Sequence, residues 1–171
     1  DSFLRTAVQA EQAVTLPEDY AVAQIFLSAD PMLASASKNT IAELVAQQQL
    51  SLVAWRDVPV DKSVCGEIAL SSMPTIMQCF IDVTTLSKEQ VAVTLFLLRR
   101  KIEKALVHDE AFYICSLSSA VISYKGLVMP VDLAKFYLDL ANPALETAIC
   151  VFHQRFSTNT LPRWPLAQPF R

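Results

Sequence analysis

Three observations predict one mixed domain in which helices and strands alternate. A chain of 171 residues that is 53% hydrophobic can bury one sizeable core. Short, dense apolar runs of strand length, such as YAVAQIFLS and TIMQCFIDV, alternate with longer segments of helical spacing. The joints between them carry start and stop signals at Asp30-Pro31, Pro59, Pro74 and Ser87.

Taken in order, Phe3, Leu4, Ala7 and Val8 recur at helical spacing, and Leu16-Pro17 ends that first helix. YAVAQIFLS reads as a buried strand. Asp30 can cap free amides and Pro31 suits a first helical position, so a second helix starts there and runs to about Gln49. LSLVAWRDVPV reads as a strand that leaves through a turn at Pro59, and Pro74 divides a short helical patch, EIALSSM, from the strand TIMQCFIDV. Ser87 with Gln90 makes a capping-box pattern, and Val91, Leu95, Leu98, Ile102 and Leu106 form one face of a long helix behind it. The run RRKIEK falls on that helix's other side as a solvated face. FYICSLSSAVISYKGLVMP reads as two strands around a Ser-rich turn, with Gly126 closing the second. VDLAKFYLDL reads as a short helix and LETAICVF as the last buried strand.

Composition excludes several functions. The net charge of -3, from 14 basic and 17 acidic residues, provides no broad attraction to nucleic acid or an anionic membrane. Mean hydropathy is +0.34, yet the longest apolar run, VAVTLFLL, is far short of a bilayer span and reads as core. Asp1 opens the chain without an initiator methionine or a signal pattern, as an excised piece would. Cys65, Cys79, Cys115 and Cys150 are too widely spaced for metal knuckles or redox pairs, which points to a reducing cytoplasm. With Gly66 and Gly126 the only glycines, the Gly-rich phosphate loops are excluded. Neither His108 nor His153 has metal-ligand spacing around it, and no G-x-S-x-G elbow exposes a serine.

Arg155 follows directly after the last apolar run, where adjoining loops often carry binding groups. Its guanidinium, with the hydroxyls of Ser157 and Thr158, can hold a carboxylate through a bidentate pair. The alternative is a structural arginine satisfied by a nearby aspartate or by carbonyls.

The closing stretch HQRFSTNTLPRWPLAQPFR resembles the N-terminal glutamine amidotransferase domain of glutamate synthase large subunits. YAVAQIFLSADP, LVAWRDVPVD, GEIALSSMP, RRKIEKAL, FYICSLSS, YKGLVMP and FYLDLANPALETAICVFHQRFSTNT resemble that family in the same order, and together they cover nearly the whole chain. FHQRFSTNT and PRWPLAQPFR suggest the bacterial, NADPH-dependent type.

The resemblance implies an α+β fold: part of an N-terminal-nucleophile αββα sandwich, with two mainly antiparallel sheets and helices on the outer faces. In the family a processed N-terminal cysteine attacks the glutamine side-chain amide with its own amine as base, and the thioester is then hydrolysed. A His-Asn-Gly segment supplies the oxyanion hole. The arginine of the RFST motif, here Arg155, is implied to hold the substrate carboxylate, with Ser157 and Thr158 lining the same pocket. The implied domain is a partial one over 1–171: the chain begins beyond the nucleophile and stops before the His-Asn-Gly segment. Cys65-Gly66 is internal, has no free α-amine, and is assigned a structural role. Negligible glutaminase activity is therefore expected of these residues alone, with no cofactor of their own.

The parent is implied to use FMN and an iron-sulfur cluster, with FAD and NADPH on a small subunit. Implied partners are glutamine, bound weakly or not at all, the rest of the large subunit and the small subunit. Self-association is expected where sheet edges are left unpaired. Besides the enzyme fragment, an amino-acid-binding module and a structural interaction domain remain as readings.

Overall fold

A computed structural model describes residues 2–154 and 161–167. Helix α1 (Ser2–Gln12) ends where Ala13 takes a positive φ of 55°. Strand β1 (Tyr20–Leu27) follows, then helix α2 (Pro31–Gln47). The expected cap is formed: Asp30 Oδ1 accepts from the amides of Met32 at 2.7 Å and Leu33 at 3.3 Å. At the other end Gln49 adopts φ 59°, with Gln49 N–H bonded to Ala46 O and Leu50 N–H to Val45 O, a left-handed cap of the kind glycine usually fills.

Strand β2 (Ser51–Asp57), the short helix α3 (Glu67–Ser71), strand β3 (Thr75–Asp82), helix α4 (Lys88–Ala105) and strand β4 (Tyr113–Ser118) complete the main frame. Gln90 Oε1 accepts from the Ser87 amide at 2.9 Å, as the capping-box pattern predicts. The four strands form one antiparallel sheet in the order β2-β3-β1-β4, so the fold is α+β. It is the one named sheet among the described residues, which therefore do not themselves supply the second layer of a sandwich.

Alternation divides the sheet into two faces. Ala21, Ala23, Ile25, Leu27, Met77, Cys79 and Ile81 pack against α2 through Ile41 and Val45, and against α4 through Leu95, Leu98 and Ile102. The opposite face carries α1, whose Phe3, Leu4 and Val8 cover Val22, Ala54 and Phe80. Further along the same face, Phe26 and Ile76 lie under Phe136, Tyr137 and Trp164.

Four expectations are corrected. The second strand after the Ser-rich turn does not form. Ser118 Oγ accepts from the amides of Ala120 and Val121 and bends the chain, and Ser123 N–H then bonds to Ser116 Oγ where a ladder would use a carbonyl. VDLAKFYLDL is not one helix: α5 (Leu133–Phe136) and the 3-10 turn Leu138–Ala141 are separated by Tyr137, which forms an isolated antiparallel bridge with Val60. LETAICVF is not a strand, and Ile149, Val151 and Phe152 are each about 80% exposed. Finally, RRKIEK is not wholly a solvated face, because Arg99 donates to Ile114 O at 2.8 Å and ties α4 to β4.

Candidate functional site

Arg155, Ser157 and Thr158 lie outside the described residues; the structure shows the frame on either side of them. Upstream, the 3-10 turn Leu138–Ala141 carries Asp139, and the chain then runs exposed from Glu146 to Gln154. Downstream, the 3-10 turn Trp164–Leu166 docks on the sheet. Trp164 is buried, its Nε1 donates to Ala69 O at 2.9 Å, and its ring meets Phe26 edge-on at 5.8 Å. Both attachments reach the same face of the sheet, the one opposite α2 and α4.

Across the middle of that face runs a polar row. Strand pairing sets Ser116, Gln24, Gln78 and Arg56 side by side over all four strands. It lies between the apolar band of Val22, Phe80 and Ala54 and the band of Phe26 and Ile76. Gln78 Nε2 donates to Gln24 Oε1 at 3.0 Å, and Arg56 Nη1 donates to Gln78 Oε1 at 3.1 Å. Arg56 saturates its remaining donors. Nη1 and Nη2 grip Asp139 at 2.7 and 2.9 Å, and Nε and Nη2 grip Glu11 at 2.9 Å each. Burial works against the Arg56 charge, but hydrogen bonds and the charges of Asp139 and Glu11 outweigh it, so its pKa is raised. Tyr124 donates to Asp139 at 3.1 Å, and burial together with that carboxylate pushes its hydroxyl pKa up. The row thus joins α1, the sheet and the turn at Asp139.

Sequence reasoning missed this cluster. The available signal was a polar residue in the middle of two apolar strands, Gln24 in YAVAQIFL and Gln78 in TIMQCFID, with Arg56 near the end of a third, SLVAWRD. A buried polar group without partners is costly, so such residues in buried strands imply one another.

Three of the four cysteines are poor nucleophiles. Burial pushes the Cys79 and Cys115 thiols up to about 12. Cys65 is partly buried against the cluster around Trp164, and burial raises its pKa. A thiolate is the reactive form, so these three are packing residues. His108 and His153 both lie on the surface. Among the described residues no group of three or more His, Cys, Asp or Glu could hold a metal ion. No helix among them is long and apolar enough to cross a membrane. A cleft of about 370 Å³ opens at the Tyr20 end of β1, beside Asp19, Lys88 and Ser118. Arg5 on its wall is taken up by the carbonyls of Leu16 and Pro17.

Known proteins resemble this sequence. A ferredoxin-dependent glutamate synthase of Cyanidium caldarium is 43% identical over 88% of the chain, and one of Antithamnion sp. is 37% identical over 96%. The glutamate synthase [NADPH] large chain of Azospirillum brasilense is 39% identical over 88%. In each case the match spans about a tenth of the relative's own length (10%, 11% and 10%). The family model described as glutamine amidotransferases class-II matches residues 1–171, and the chain belongs to that family.

Proposed function

We propose that these residues form part of the glutaminase domain of a glutamate synthase large chain. One observation carries this reading: relatives named as glutamate synthases align along 88% or more of the chain. In the parent, a cysteine sulfur attacks the side-chain amide carbon of glutamine, the C–N bond breaks, and ammonia leaves with the proton taken up by the base. Water then cleaves the thioester to give glutamate and restores the thiol. Arg155 holds the substrate carboxylate by a bidentate pair, while Ser157 and Thr158 line the same pocket.

None of the four cysteines here takes the nucleophile's part. Cys79 and Cys115 are buried thiols with pKa values pushed up to about 12, and Cys65 and Cys150 are internal residues without a free α-amine. A polypeptide of these 171 residues alone therefore has negligible glutaminase activity.

In this reading the ammonia is used for reductive synthesis of glutamate from 2-oxoglutarate elsewhere in a cytoplasmic parent. FMN and an iron-sulfur cluster belong there, with FAD and NADPH on a small subunit. Among the described residues no group of three or more His, Cys, Asp or Glu could hold a metal ion, so they are not the ones that would carry the iron-sulfur cluster. Relatives of both donor types match at similar identity, 43% for a ferredoxin-dependent and 39% for an NADPH enzyme, so identity favours neither donor.

The test is Arg155→Ala in the full-length protein. Glutamine-dependent kcat/KM is expected to fall roughly 100-fold, since removing one partner of a buried charge pair costs several kcal/mol. Glutamate synthesis supplied with free ammonia should be unaffected. An unchanged KM for glutamine overturns the role of Arg155.

A further inference from the structure

We propose that Lys125 is a positioning residue: it pins the turn at Trp164–Leu166 to the sheet and thereby sets where the chain returns after residues 155–160. Its place in catalysis rests on the reading above, in which Arg155 binds glutamine. Lys125 is 2% exposed, which is unusual for a lysine. Its Nζ donates to Pro165 O at 3.0 Å and stands 4.1 Å from the centroid of the Tyr113 ring. Its own carbonyl accepts from Tyr137 Oη at 2.7 Å. The dipeptide Lys125-Gly126 thus grips the dipeptide Trp164-Pro165 at two points. The ammonium takes the Pro165 carbonyl, and Gly126 takes the indole so closely that a Cβ on it would lie 2.7 Å from Trp164 Cζ3.

Packing alone does not explain a cation there. An apolar side chain of the same length fills the space without the desolvation cost of an ammonium. What the ammonium adds is a directional bond to one carbonyl of the returning chain, five residues beyond Thr160. Indole packing restrains the turn against lifting from the sheet. The Lys125 bond restrains it against sliding along the sheet.

The chain has two tryptophans, so Trp55→Phe leaves Trp164 as the sole reporter. In that background the 171-residue protein should show the blue-shifted, weakly quenched emission of a buried indole. Lys125→Met, which keeps the apolar stem, should raise acrylamide quenching several-fold with the far-UV circular dichroism unchanged, and Gly126→Ala should act in the same direction. Unaltered quenching in Lys125→Met, or a parent indole as accessible as free tryptophan, overturns the proposal.

In the full-length protein, Lys125→Met should raise KM for glutamine roughly tenfold or more, as small misplacements of positioning groups do. The kcat and the ammonia-supplied rate should be kept. An unchanged KM, or loss of both activities together, overturns the positioning role. If Arg155→Ala leaves KM unchanged, the glutamine-pocket reading fails, while the quenching result still decides whether Lys125 anchors the turn.

Discussion

Replacing Arg56 with methionine removes five hydrogen bonds at once, two to Asp139, two to Glu11 and one to Gln78. Burial makes these partners unequal. The Asp139 side chain is 2% exposed and that of Glu11 is 41% exposed. Without Arg56, Glu11 returns to water at little cost, whereas Asp139 stays buried with the Tyr124 hydroxyl as its donor among the described side chains. Breaking a buried pair from one side costs about 3 to 5 kcal/mol, and an exposed pair is worth about 1 kcal/mol or less. Arg56→Met and Asp139→Asn should therefore each lower the unfolding free energy by about 3 to 5 kcal/mol, read as a drop in the urea midpoint, and Glu11→Gln by about 1 kcal/mol or less. The double variant Arg56→Met/Asp139→Leu should recover a large part of the loss, because the orphaned charge is gone. Urea titrations followed by far-UV circular dichroism, with equal m-values across the set, provide the measurement. The reasoning is refuted if Glu11→Gln costs as much as Asp139→Asn, or if the double variant is no better than Arg56→Met.

Lys125 makes stability depend on pH. Burial lowers its pKa from 10.5 to about 8, so between those values the unfolded chain binds more protons and stability rises with pH. The buried thiols of Cys79 and Cys115 act oppositely above 9, where the unfolded chain loses protons that the native one keeps. Lys125→Met carries the same two thiols, so the difference between the curves isolates the lysine: from pH 8 to 9 wild type should gain about 1 kcal/mol on Lys125→Met, and parallel curves would contradict the burial of a charged lysine. Gln49 at φ 59° should prefer glycine: Gln49→Gly is expected to raise stability by about 0.5 to 1 kcal/mol, and a lowered melting temperature would count against strain there. The 171-residue protein should self-associate through Ile149, Val151 and Phe152. Light scattering should show the triple serine variant to be the more monomeric, and a wild-type monomer over a wide concentration range would refute this.

What the sequence made legible was local. The Asp30 cap, the Gln90 half of the capping box and the dense strands β1 and β3 involve interactions within a few residues, or runs so apolar that burial follows. The misread segments needed distant partners. LETAICVF has strand composition, but a strand exists only through a ladder, and no described segment pairs with it. The stretch from Ser118 to Gly126 follows the hydroxyls of Ser116 and Ser118, so apolar alternation there was outweighed by side-chain bonds to the backbone. Family resemblance pointed to Arg155, Ser157 and Thr158, which lie outside the described residues. Lys125, Arg56 and Asp139 escaped notice because their roles depend on residues 40 to 83 positions away.

The polar row also bears on how the sheet finds its alignment. Sliding any one strand by a single residue would move every side chain to the other face of the sheet and carry the polar row into the apolar packing against α2 and α4. A slip of two residues keeps the correct face inward and is usually the harder error to exclude. Here it would set Gln24, Gln78 or Arg56 against an apolar residue (Phe80 or Ile76 on β3, Phe26 or Val22 on β1) and leave the abandoned partners buried without their bonds. Ser116, Gln24, Gln78 and Arg56 thus act as a key cut across the four strands, so that one pairing satisfies all of them.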